Sequence, residues 1–159
     1  MASIADSIAY FDKLLDENKP KPDEGKLRVR TLNRDEPLPN LSHNFQPGTV
    51  LPQHNWIWLV ERDSKPIVML IAAPAQTSVF LMSLAAAADS LSDNSQALML
   101  LFRTALADML KRGYPAFWVN LEPARPLESK LLSIIKRLPN VKLIENCTLA
   151  IGPTNIGVL

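Results

Sequence analysis

Apolar residues recur at helical spacing over Ser3–Glu17, at Ile4, Ile8, Phe11 and Leu15. That stripe predicts an amphipathic helix. The residues that follow, Asn18-Lys19-Pro20-Lys21-Pro22-Asp23-Glu24-Gly25, are polar and proline-spaced, and read as a linker. The chain is therefore expected to divide into an N-terminal helix over 1–18, a linker over 19–26 and a domain over 27–159. The stripe has two possible partners, its own domain or another chain. Leu27-Arg28-Val29-Arg30-Thr31-Leu32 alternates apolar and polar positions, the pattern of a half-buried strand. Residues 33–53 hold four prolines and few strand formers. They predict a loop with a short helical turn near Leu38–His43.

Stronger patterns follow. Trp56–Glu61 and Ile67–Ile71 are β-branched and aromatic runs around the turn Asp63-Ser64-Lys65, a hairpin. Thr77–Leu84 predicts a third strand of this group. Asp93-Asn94-Ser95-Gln96 reads as a helix start, with Asp93 as cap and Gln96 three positions on. The helix carries Ala97, Leu98, Leu101, Phe102, Ala105, Leu106 and Met109 on one face, and closes on Lys111-Arg112-Gly113. Ala116–Leu121 is a buried strand, and Leu127–Leu138 is a helix stopped by Pro139-Asn140. Val141–Glu145 and Cys147–Ile151 close the chain as two short strands. Antiparallel strands followed by a strand-helix-strand unit predict an α/β fold, with a mixed, mostly antiparallel sheet flanked by helices and an extra N-terminal helix.

Composition narrows the chemistry. The chain has 159 residues, 47% hydrophobic and 21% charged, with a formal charge of +1. These are globular values for one domain. The near-neutral balance gives no bulk attraction to nucleic acid or to an acidic membrane, and neither is expected as a partner. Apolar runs are too short to span a bilayer, and the N-terminus has no signal-peptide pattern, so a soluble, cytoplasmic protein is expected. Cys147 is the one cysteine and has no histidine near it in sequence, so it reads as a small buried residue. His43 and His54 offer no metal-ligand spacing, and no metal site is expected. Gly-x-Ser-x-Gly, P-loop and Gly-x-Gly-x-x-Gly patterns are absent. Trp56, Trp58 and Trp118 read as packing, with Trp56 as a candidate interface anchor. Arg103, Lys111 and Arg112 read as a solvated helix face.

The order of elements from about Lys26 to Gly152 resembles the GNAT N-acyltransferase superfamily. The resemblance rests on five segments. Trp58–Met69 looks like the family's second and third strands, and Val79–Leu84 like its fourth. Leu98–Tyr114 looks like its central helix, Phe117–Asn120 like its fifth strand, and Ile134–Leu138 like the helix before the last strands. The resemblance implies acetyl-CoA as cofactor, if the chain is active. It places Met82, Leu84, Ser92, Asn94 and Ser95 as the residues that would bind it.

Three departures from the family pattern bear on function. The family joins its fourth strand to the central helix through Arg/Gln-x-x-Gly-x-Gly/Ala, whose backbone N–H groups hold the pyrophosphate. Here the stretch is Ala85–Gln96, and no glycine occurs between Gly48 and Gly113. Glycine matters there because a Cβ would block close approach to phosphate. Asp89 and Asp93 also bring negative charge to that stretch. Where many members carry an acid tyrosine, the matching position is Ile135. Where a glutamate near the fourth strand often serves as base, this strand has no carboxylate. Glu61 and Glu122 are the nearest substitutes by sequence. The expected function is a non-catalytic binding or structural subunit of a larger assembly, for example a virus particle, with no cofactor. Its partner would be a protein or a second copy, met through Ile4, Ile8, Phe11, Leu15 and Trp56. The alternative is a divergent acetyl-CoA-dependent N-acyltransferase.

Overall fold

A computed structural model describes residues 4–17, 26–32, 36–39, 41, 56–75, 78–86, 95–114, 116–121, 124–138, 141–145 and 148–151. The elements, in chain order, are α1 (Ile4–Glu17), β1 (Leu27–Thr31), β2 (Trp56–Arg62), β3 (Lys65–Ala75), β4 (Ser78–Ala86), α2 (Ser95–Lys111), β5 (Ala116–Asn120), α3 (Pro126–Ile135), β6 (Val141–Glu145) and β7 (Thr148–Ile151). The strands form one mixed sheet in the order β1-β2-β3-β4-β5-β7-β6. β4 and β5 are parallel, and the other neighbours are antiparallel. Helix α2 makes the crossover that a parallel pair requires.

Alternation along the strands sorts side chains onto two faces. On one, Trp58, Val60, Val68, Leu70, Val79, Phe117 and Val119 are buried against α2, with Leu98, Leu101, Phe102, Leu106 and Met109 facing them. Leu127, Leu131 and Ile135 of α3 join the same core. The opposite face carries a smaller cluster of Leu59, Met69 and Ile71, capped by Leu38 and Leu41. The short helical turn expected near Leu38–His43 is not formed at the residues described there. Leu41 N–H donates to Pro39 C=O at 2.9 Å, two residues back and not the three or four of a helical turn.

Helix α1 joins the main core. Ile4 and Phe11 are buried, and Ile8 and Leu15 are half-buried against the same cluster. The Phe11 and Phe102 rings lie 6.0 Å apart, and Arg103 Nε of α2 meets Asp12 Oδ1 at 2.8 Å. Ile4 and Phe11, expected to meet a partner, are instead covered by the chain's own α2 side. Burying a phenylalanine of this kind stabilises by about 1.5–3 kcal/mol, so the stripe is satisfied at home. The proposed linker lies outside the described residues, apart from Lys26.

The ends of α2 and α3 follow their sequence signals. Gly113, at φ +88°, donates to Leu110 C=O at 3.0 Å, and Tyr114 N–H reaches Met109 C=O at 3.0 Å. This pair is the Schellman closure, in which the left-handed residue favours glycine. Pro126 opens α3 at a position where its missing N–H is harmless. The regular helix ends at Ile135, and single turns carry the chain to Leu138.

Candidate functional site

The parallel strands β4 and β5 are the part of the sheet best placed to hold a ligand. Their pairing covers three positions, Ser78–Phe80 with Ala116–Trp118. β4 continues to Ala86 and β5 to Asn120. Among the described residues, the two strands therefore share no register over their C-terminal parts, and a wedge opens between them. Ligands in α/β sheets bind outside the carboxyl ends of parallel strands. The N-terminus of α2, at Ser95, follows β4 in the chain and adds the positive end of a helix dipole.

A bulge shapes β4 beside the wedge. Ile71 of β3 pairs with Ser83, and the next residue, Ala72, pairs with Leu81. Met82 is thus the extra residue, left without a partner in the β3 ladder. A bulge turns backbone polar groups out of the ladder, and groups of this kind could bond an amide-containing chain. Leu84, the other strand candidate, pairs with Leu70 and is half-buried against the main core. It serves packing, and only its backbone faces the question of a ligand. Ser95 is exposed at the first position of α2. Ser92, Asn94 and Glu122 lie outside the described residues. Ile135, in the position where an acid tyrosine was sought, is buried in the core.

Glu61 lies elsewhere. It stands on β2, two strands from β4, roughly 10 Å across the sheet at one strand spacing per step. Its Oε1 accepts from Arg30 Nε at 2.8 Å. The same guanidinium donates to both oxygens of Glu36, at 2.9 and 2.7 Å. The Glu36 hydrogen bonds, then those to Glu61, hold Arg30 above its ordinary pKa, against the opposing pull of burial. Glu61 also lines an open depression of about 520 Å³ with Lys26, Leu27, Arg28, Asp63 and Ser64. A general base must reach the proton it takes. Glu61 stands two strands from the wedge, and its Oε1 is held by Arg30.

Sequence reasoning missed Arg30 and Glu36, whose union spans a loop. It also missed the bulge, which leaves no residue signature in Leu81-Met82-Ser83. A period-2 reading did put Arg30 and Glu61 at strand positions, and that was the one usable hint. Trp56, the expected interface anchor, is half-buried. It meets Trp58 edge-on at 6.2 Å and Tyr114 at 5.2 Å, and Arg112 lies 4.5 Å over its ring.

The coenzyme implied by the resemblance fits this chain in part. The wedge and the Met82 bulge suit an extended amide arm. The phosphate end is less well served. The residues joining β4 to α2 contain no glycine and two aspartates, and Leu84, Ala86, Ser95, Gln96 and Leu121, described around the wedge, bring no cation. No reaction step is derived through the coenzyme.

No protein-family model matches the sequence, and no curated protein matches it. Solved structures do. A putative N-acetyltransferase, YhhK, from E. coli, solved bound to coenzyme A, is similar at 11% identity over 80% of this chain and 99% of its own, with a TM-score of 0.52. A GNAT family acetyltransferase from Elizabethkingia anophelis with acetyl-CoA bound is similar at 9% identity over 80% of this chain and 97% of its own, with a TM-score of 0.50. The PaiA N-acetyltransferase from Thermoplasma acidophilum, in complex with coenzyme A, shares 13% identity over 62% of this chain, with a TM-score of 0.49; the chain spans 61% of that protein's length. The fold is that of the GNAT N-acetyltransferases: a mixed, mostly antiparallel sheet flanked by helices. Among the described residues, no helix is long and apolar enough to cross a membrane.

Proposed function

We propose that this chain is a non-catalytic binding or structural subunit built on the GNAT fold and working within a larger assembly. One observation carries the reading: Glu61, the candidate base that the structure describes, is bound to Arg30 and stands two strands from the β4–β5 wedge. With Glu61 out of reach, the general base help it could have given, worth roughly 10²–10⁴-fold, is lost. The glycine-free stretch between β4 and α2 supports the same reading from the phosphate side. The test is release of free thiol from acetyl-CoA in the presence of mixed primary amines. The reading expects no release above the uncatalysed rate. Release that scales with protein concentration would sink it.

The second reading is a divergent acetyl-CoA-dependent N-acyltransferase. The Met82 bulge and the open β4–β5 wedge favour it, and the similar proteins above were solved with coenzyme A or acetyl-CoA. A main-chain cradle at Ser92, Asn94 and Ser95 would replace the glycine loop. On this reading coenzyme A binds, and melting in its presence separates the two.

A further inference from the structure

We draw no further inference here: the strongest candidate, the Glu128 carboxylate in the first turn of α3, has a buried Oε2 without a hydrogen-bond partner, but that oxygen lies 3.5 Å from Arg125 Nε and nothing in the structure shows what else would meet it at that helix start.

Discussion

The indole of Trp58 donates its Nε1–H to Asp108 Oδ2 at 2.7 Å, across 50 positions of sequence. Trp58 is fully buried on β2, and Asp108 is half-buried on α2. The bond satisfies a donor that burial would otherwise strand, and it fixes how α2 sits on the sheet. Asp108→Ala should therefore destabilise by about 1–3 kcal/mol, the usual cost of an orphaned buried donor. Asp108→Asn keeps an acceptor and should cost less. Urea unfolding of the three chains measures this. Equal stability of the alanine variant and the wild type would show that the bond does not hold the helix.

Helix α1 gives a second prediction. Phe11 is fully buried and its ring meets Phe102 at 6.0 Å. Phe11→Ala should cost about 3–5 kcal/mol, the range for large-to-small changes in a core. The exposed pair of Asp12 with Arg103 is a control. Asp12→Ala should change stability by no more than about 1 kcal/mol, since solvent screens that pair. If α1 docked on a partner and not on its own domain, Phe11→Ala would leave the isolated chain's stability unchanged.

The hairpin turn between β2 and β3 gives a third. Asp63 and Ser64 have φ of 51° and 65°, the left-handed values of a type I′ turn. Neither is glycine, and the αL region costs an ordinary L-residue roughly 1–2 kcal/mol. Ser64→Gly should raise stability by about 0.5–1 kcal/mol once glycine's extra unfolded-state entropy is counted. Thermal melting reads the change. A lower melting temperature would mean that the Ser64 side chain makes a contact that outweighs the strain.

Much of the fold was legible because periodicity is a local property. Ala97 through Met109 repeat at helical spacing, and the strand runs around Asp63-Ser64 alternate or are continuously apolar, so both could be placed without knowing their neighbours. Gly113 marked its helix end through backbone chemistry alone. The failures are all long-range. The prolines at 20 and 22 suggested a detached helix. No local pattern says that Phe11 meets Phe102, since that contact depends on where α2 sits. The segment at Leu38 was read as holding a helical turn, but Leu38 and Leu41 pack over Leu59, Met69 and Ile71, a contact between distant parts of the chain. The site was less legible than the fold. Glu61 could be named from sequence, but its capture by Arg30 and Glu36 is a three-body arrangement. The Met82 bulge is a matter of register, which no residue type announces.

Arg30 offers a fourth prediction, independent of any ligand. It carries the three hydrogen bonds that tie Glu36 and Glu61 to the sheet. Arg30→Gln leaves two carboxylates near each other without their cation. Amide exchange should then speed up at Glu36, Leu38 and Leu41, while the β2–β3 ladder keeps its protection. Uniform acceleration over the whole chain would mean that the segment has no local opening of its own.

The central proposal is that this chain uses the GNAT fold without coenzyme and without catalysis. Thermal melting with and without 1 mM coenzyme A or acetyl-CoA tests it most directly. A ligand at about 100 times its dissociation constant would add roughly 2.7 kcal/mol, or about 5–10 °C for a domain of this size. The account predicts no shift in the melting temperature. A shift of several degrees would contradict it, and would mean that the wedge beside Met82 and the start of α2 hold the coenzyme without glycine.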